Sequence, residues 1–198
     1  MTDRTIPFHN VILRCDQYTA TPVLLPEGFC VVSYQKGYEK DWAGMEYSIG
    51  DFNSTQEAED YFMSTYLSKE SNHENCRFLL SPDKKVIGSC IAWNDFRNDT
   101  PVSSLHWLAV DENYQGMGLG KALCLATMNI FAEKGGTPVY IHTEPWSWKA
   151  ILLYLSIGFR LQKTDTFSHY ENQYDNAMET LKGVVSEQQY ERMQQASE

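Results

Sequence analysis

The 198-residue chain predicts an α/β protein with a central mixed sheet, and three observations carry that prediction. Short runs rich in β-branched and aromatic residues recur between turn signals. Two stretches of helical period separate the first of these runs from the later ones. A strand-like run at 105–110 then feeds a helix-like run at 119–134 through the glycine-rich segment Gln115-Gly116-Met117-Gly118-Leu119-Gly120.

Taken in order, residues 11–14 are a short extended piece. A turn-rich stretch through Pro22, Pro26 and Gly28 leads to the strand run at 29–34. From Tyr38 to Ile49 the pattern is helical, and Gly50 interrupts it. Ser54 or Thr55 caps a second helix through Ala58, Tyr61, Phe62 and Leu67. Residues 77–80 and 86–93 flank Ser81-Pro82-Asp83-Lys84 and read as a hairpin, with 103–110 as the third strand of a meander. Leu119, Ala122, Leu123, Ala126 and Ile130 recur at helical spacing until Gly135-Gly136 closes the segment. Residues 138–143 form a strand, and Pro145 opens a helix whose Ala150, Ile151, Tyr154 and Ile157 share one face. Leu161 onward and residues 176–181 read as two closing strands. The Gln- and Glu-rich stretch from Ser186 reads as a surface helix or a frayed end. The expected organisation is an N-terminal extension with a short strand (1–27), one domain (28–183) and a polar tail (184–198).

The glycine-rich segment carries the first functional reading. A strand that enters a helix through glycines leaves several backbone N–H groups aimed at one point, where the positive end of the helix dipole also lies. That is a site for phosphate. Glycine is required there because a backbone curled around a pyrophosphate has no room for Cβ atoms and adopts positive φ. A Walker loop needs Gly at the first position and Ser or Thr after the Gly-Lys pair, but Gln115 and Ala122 stand there. A dinucleotide fingerprint expects GxGxxG near the start of a βαβ unit, with an acidic residue about 20 positions on. This loop reads GxGxG past the middle of the chain, with Glu133 too early and Glu144 somewhat late.

The net charge of −10, from 16 basic and 26 acidic side chains, argues against nucleic acid or an anionic membrane as partner. It suits a cationic small substrate, and solubility alone also explains it. Cys15, Cys30, Cys76, Cys90 and Cys124 are odd in number and lack CxxC spacing, so neither a disulfide framework nor a zinc ribbon is indicated. His73 and Cys76 have ligand-like spacing without a second pair. The first residues lack an apolar signal core and no window reaches membrane-span length, so a cytoplasmic protein is expected. The sequons at Asn53 and Asn98 then carry no glycan.

Two motifs add a family resemblance. Gln115, Gly118 and Gly120 match the pattern Gln/Arg-x-x-Gly-x-Gly/Ala. Residues 147–159, Ser-Trp-Lys-Ala-Ile-Leu-Leu-Tyr-Leu-Ser-Ile-Gly-Phe, match Asn-x-x-Ala-x-x-Leu-Tyr-x-x-x-Gly-Phe except at Ser147. In this order and separation, residues 103–163 resemble the GNAT acetyltransferase superfamily. The resemblance implies the GNAT fold, a three-layer arrangement with a central mixed, mostly antiparallel twisted sheet. About six to seven strands and about four helices are expected. It also implies acetyl-CoA as cosubstrate, no metal, and direct N-acetyl transfer to a primary amine of a small molecule in a ternary complex. A polyamine, an amino acid, an aminoglycoside, an aromatic amine and a protein N-terminus all stay open as acceptors. Family members are often dimers, which leaves a homodimer open.

Residue by residue, the resemblance puts the coenzyme phosphates on Gln115, Gly116, Met117, Gly118, Leu119, Gly120 and Lys121. The pantetheine arm lies along the main chain of Leu108, Ala109 and Val110, and the N–H at or near Val110 polarises the carbonyl. Ser147 falls on the coenzyme side. Tyr154 matches the tyrosine that protonates the departing thiolate, a phenol being able to donate that proton; without the motif it reads as a core aromatic. His106 alternates with Leu108 and Val110 and titrates in the right range for a base. A structural strand histidine is the plainer reading. Glu144 is the rival base, with helix capping as its own plain reading, and water is a third route. Trp42, Glu46, Tyr47, Asp51 and Trp93 can build an aromatic and acidic pocket for an amine, or serve as core aromatics and solvated acids. Trp146 and Trp148 either line the pocket mouth or pack the helix start. An acyl-CoA-binding sensor or interaction module without turnover is the alternative, and Ser147 is the departure that points to it. A nicotinamide-dependent hydride-transfer enzyme ranks third.

Overall fold

The computed structural model describes residues 3–198. Those residues form seven strands, β1 (Val11–Cys15), β2 (Cys30–Ser33), β3 (Cys76–Leu80), β4 (Val86–Arg97), β5 (Thr100–Val110), β6 (Val139–Thr143) and β7 (Arg160–Leu161). The α-helices among them are α1 (Tyr38–Ile49), α2 (Thr55–Thr65), α3 (Leu119–Lys134), α4 (Trp148–Ser156), α5 (Tyr174–Val184) and α6 (Glu187–Gln195). The sheet runs in the order β2-β3-β4-β5-β6-β1-β7. It is parallel at β5/β6 and antiparallel at β1/β6, β1/β7, β2/β3 and β3/β4. The mixed α/β sheet expected from the sequence is therefore present. Among the described residues, no helix is long and apolar enough to cross a membrane.

The chain divides into two compact units. One comprises Thr19–Trp93 and Leu105–Lys134; the other comprises the N-terminal segment through Tyr18, Asn94–Ser104 and Gly135–Glu198.

In the first unit, local chemistry sets the helix ends. Gly50 takes φ 95° and returns its N–H to the carbonyls of Glu46 and Tyr47, which stops α1. The Ser54 hydroxyl accepts from the Glu57 N–H at 3.1 Å and starts α2. The two helices pack together, and Trp42, Ala43, Ala58 and Phe62 share one core with Tyr66, Cys76, Phe78 and Ile91. Helix α3 buries Leu119, Ala122, Leu123, Met128, Ile130 and Phe131, and its end turns at Gly135 with φ 67°. Gly88 on β4 allows a close approach to the end of β5. A Cβ there would lie 2.8 Å from the Ala109 carbonyl oxygen and 3.3 Å from Leu123 and Val110 side-chain atoms. A backbone oxygen cannot swing aside, so Gly88→Ala is expected to cost about 1–3 kcal/mol. Chemical denaturation reads this as a lower midpoint; an unchanged midpoint would mean that the strands part without cost.

In the second unit, Asn98 (φ 47°) and Asp99 (φ 62°) make the two-residue turn between β4 and β5. This is the conformation that suits a tight hairpin. Ser103 and Ser104 pair in parallel with Val139 and Tyr140, and β1 lies between β6 and β7. Asp165 ties several segments together, accepting from Arg14 at 2.7 Å, Arg97 at 2.8 Å and the Tyr140 hydroxyl at 2.9 Å. Burial works against its charge, but these hydrogen bonds prevail and hold the carboxyl below its ordinary value.

One sequence expectation changes here. Residues 176–181 belong to α5 and not to a strand, because Ala177, Met178 and Leu181 bury one helical face. The segment from Ser186 is an ordered helix with a capping box, in which Ser186 and Gln189 satisfy each other's backbone N–H groups. It buries Met193 completely. Beyond it the chain pairs back on β7: the Leu161 N–H donates to the Ala196 carbonyl at 2.9 Å and the Glu198 N–H to the Leu161 carbonyl at 2.9 Å.

Candidate active site

The glycine-rich loop takes the shape its composition demands. Gly116 and Gly118 have φ 82° and 78°, and nothing lies within 4 Å of a Cβ built on either. The strain-free left-handed backbone therefore faces open space. Gln115, Gly116, Met117, Gly118 and Lys121 are exposed, Gly120 is half-buried and Leu119 anchors the loop in the core. The first turn of α3 bears no acidic side chain. The Ala122 N–H bonds to the Gly118 carbonyl at 3.1 Å, so the N–H groups of Leu119, Gly120 and Lys121 precede the helical ladder. Positive dipole and free donors together suit a phosphate. Upstream, the Gln115 side chain donates to the Val110 carbonyl at 3.0 Å and fastens the loop to the end of β5. The Asp111 N–H donates to the Ile87 carbonyl at 2.8 Å. Leu108, Ala109 and Val110 are half-buried along this strand end.

The simple alternation of His106, Leu108 and Val110 does not hold, because Trp107 has φ 51° in the middle of β5. A bulky residue in the left-handed region marks a local disruption of the strand. Its consequence is that two successive side chains reach the same group: the Trp107 indole N–H donates to the Tyr66 hydroxyl at 2.8 Å, and His106 Nδ1 lies 2.9 Å from that hydroxyl. The Ser89 hydroxyl donates to the Trp107 carbonyl at 3.1 Å and holds the distortion from the β4 side. Tyr66 is fully buried, and burial chiefly pushes its phenol well above the ordinary value. Its role escapes a sequence reading; the helical spacing from Phe62 is the one signal that points to it.

Among the residues expected to build an acceptor pocket, Trp42 and Glu46 are buried one helical turn apart on α1. Trp93 meets Tyr66 at 4.9 Å and His106 at 6.4 Å, while Tyr47 is 49% exposed and stands outside the core. Burial pushes the Glu46 carboxyl well above its ordinary 4.5, and Asp51 adds to the shift. The native chain therefore holds a proton that the unfolded chain has released above that pH, so stability falls as pH rises through this window. Glu46→Gln is expected to melt above the native protein near about pH 7.5, with the gap closing by about pH 4. Thermal melts across this range check it, and a constant gap would show that Glu46 keeps its ordinary titration.

In the second unit, the Ser147 hydroxyl donates to the Glu144 carboxylate and the Ser147 N–H to the Glu144 carbonyl at 3.0 Å. The two coenzyme-side and base candidates there are thus coupled to each other at the entry to α4. Tyr154 lies on the buried face of α4 with Ile151, 5% exposed, against Phe159 at 5.9 Å. Trp146 packs on Phe8 with Arg4 over its ring at 4.5 Å, and Lys149 lies over Trp148 at 5.6 Å. In the first unit His73 packs on Tyr34 at 4.9 Å. Among the described residues, no group of three or more His, Cys, Asp or Glu side chains assembles for a metal.

The chain is similar to mycothiol acetyltransferases. That of Actinosynnema mirum is 28% identical over 155 residues, which cover 71% of this chain and 48% of the relative. That of Saccharomonospora viridis is 37% identical over 65 residues, covering 33% and 21%. The chain thus spans about half, or less, of the length of these curated relatives. Among solved structures, a GCN5-related N-acetyltransferase from Sphaerobacter thermophilus aligns with TM-score 0.59 at 15% identity, covering 80% of this chain and 51% of that one. An aminoglycoside N-acetyltransferase in complex with CoA aligns with TM-score 0.57 at 19% identity, covering 76% and 99%. At these identities the structural likeness speaks for the fold. The model of the acetyltransferase (GNAT) family matches residues 38–159, which takes in α1, α2, the loop at the head of α3 and α4. The chain belongs to the GNAT acetyltransferase family.

Proposed function

We propose that the protein transfers an acetyl group from acetyl-CoA to a primary amine of a small molecule, by direct attack of the amine on the thioester in a ternary complex. The observation that carries this reading is the loop between β5 and α3. Its two left-handed glycines and the unladdered N–H groups of the first helical turn suit a pyrophosphate, within the segment that matches the family. The neutral amine nitrogen forms a bond to the acetyl carbon, the carbon–sulfur bond breaks, the thiolate takes a proton from Tyr154, and the nitrogen gives up a proton that restores the Tyr154 hydroxyl as the amide forms. The N–H at or near Val110 stabilises the oxyanion, and main-chain groups of Leu108, Ala109 and Val110 hold the pantetheine arm. The proton of the ammonium group passes to His106 or Glu144, directly or through water. Relatives named mycothiol acetyltransferase and a structural neighbour named aminoglycoside N-acetyltransferase support a small-molecule acceptor.

Thiol release from acetyl-CoA, measured with a panel of amines beside calorimetric binding of CoA, tests this. Binding with amine-dependent release is the expected result. Binding without release from any amine favours a coenzyme-binding module, the reading that the hydrogen-bonded Ser147 supports in place of the family Asn. Absence of binding overturns both.

A further inference from the structure

His142, half-buried on β6, carries no sequence signal, yet the structure fixes its ring. In the antiparallel register His142 lies opposite Ile12, so Asn10, two residues before Ile12, is its diagonal neighbour on the same face. Asn10 Oδ1 lies 2.8 Å from His142 Nε2. A carboxamide oxygen only accepts, so Nε2 carries a proton and the neutral ring keeps its lone pair on Nδ1. The Tyr170 ring stacks on the imidazole at 3.7 Å and 8°, and Phe8 lies 6.4 Å away. Asn10 is itself held at both backbone groups: its N–H donates to the Gln173 side-chain oxygen at 2.9 Å, and its carbonyl accepts from the Gln173 N–H at 3.2 Å. A base oriented by a third group in one tautomer is what proton abstraction needs. His106 is held the other way, since the Tyr66 hydroxyl, which accepts from Trp107, has its proton to give to Nδ1. Glu144 keeps an extended backbone (φ −145°, ψ 164°) two residues beyond His142 and so leaves the strand on the same side. Other titratable and charged groups around the rings of this cluster include Arg4, over Trp146 at 4.5 Å, His169, 4.5 Å from Tyr170, and Asp165, bonded to Tyr140. Asn10, Tyr170 and Gln173 lie outside residues 38–159, so the family segment supplies the histidine and the flanking segments of this chain supply what orients it.

We infer that His142 takes the ammonium proton of the acceptor in the proposed transfer, and that Asn10 is its positioning residue. This rests on the transferase reading and adds a proton acceptor to those named there. An N–H bond of the ammonium group breaks and the proton bonds to His142 Nδ1, so that the electron pair left on nitrogen can attack the acetyl carbon. Cleavage of the carbon–sulfur bond and the proton exchange through Tyr154 follow unchanged. The imidazolium, with the Glu144 carboxylate as its negative neighbour, returns its proton to water as product leaves.

Diethyl pyrocarbonate acylates an imidazole nitrogen that holds a lone pair, so it reads Nδ1 of His142 in the full chain, with peptide mass spectrometry assigning each histidine. Acetyl-CoA at about ten times its calorimetric Kd is expected to slow modification of His142 about tenfold, only about a tenth of the protein then being unliganded, and to leave the exposed His169 unchanged. In thiol release with the amine panel, His142→Gln should lower kcat about a hundredfold. The glutamine keeps a donor toward Asn10, and the deficit should shrink as pH rises and solvent deprotonates the amine, which a purely structural loss would not do. Asn10→Ala should lower kcat about tenfold, and Asn10→Asp, which still accepts from Nε2, should restore it. Acetyl-CoA binding without protection of His142, kcat in His142→Gln equal to native, or a deficit that stays constant with pH overturns the inference and leaves the transferase standing. Absence of acetyl-CoA binding, or of thiol release with any amine, overturns both.

Discussion

Gly118→Val is expected to remove measurable CoA binding while the protein stays folded. The position has φ 78°, where a residue with a Cβ pays about 1–2 kcal/mol and a β-branched one more. No protein atom lies within 4 Å of the built Cβ, so the core is not strained by the added atoms. The loss falls on the loop: the backbone leaves the left-handed conformation, the N–H groups before Ala122 lose their common aim, and the isopropyl group stands where the pyrophosphate would lie. Calorimetry with CoA and a thermal melt on the same sample separate the two effects. Binding lost with a melting temperature within a few degrees of native is the expected pair, a cost of about 1 kcal/mol being worth about 4–8 °C or less. Gly118→Ala should fall between. Retained CoA affinity in Gly118→Val would remove this loop as the phosphate site.

Tyr154→Phe is expected to lower kcat about a hundredfold or more, the range in which a positioned acid contributes, with CoA affinity nearly unchanged. The ring is buried beside Ile151 and Phe159, and phenylalanine keeps that packing, so only the hydroxyl is lost. A thiolate then leaves without a nearby proton, and the deficit appears in the transition state and not in ground-state binding. Acetyl thioester donors whose leaving thiols are more acidic than the coenzyme thiol should lose less of the rate. Turnover equal to native would make Tyr154 a packing aromatic of α4 and would move the acid elsewhere.

How far the sequence reached can be traced by the range of the cause. The boundaries of α1, α2 and α3 were legible because each has a local origin: Gly50, Ser54 and Gly135 act within one turn of themselves. The same holds for the glycine-rich loop, whose geometry follows from two glycines and the start of a helix. The strand assigned to residues 176–181 failed because a short apolar run fits both periods, and only the burial of Ala177, Met178 and Leu181 on one face decides for the helix. The segment after Ser186 is too polar to suggest a packed element, yet its single fully buried methionine and the backbone pairing of Ala196 and Glu198 with Leu161 hold it in place.

By itself, then, the sequence determined what depends on neighbours along the chain: the α/β alternation, the helix caps, the glycine loop and the two motifs that mark the family. The tertiary structure alone decided what depends on residues far apart. Trp107 departs from the strand because Ser89 holds its carbonyl and Tyr66, 41 residues away, takes its indole N–H. That one distortion brings His106 and Trp107 to the same hydroxyl and adds Trp107 to the rings around Trp42. No periodicity encodes it, because the conformation of a strand residue in the left-handed region is fixed by its contacts and not by its own preference.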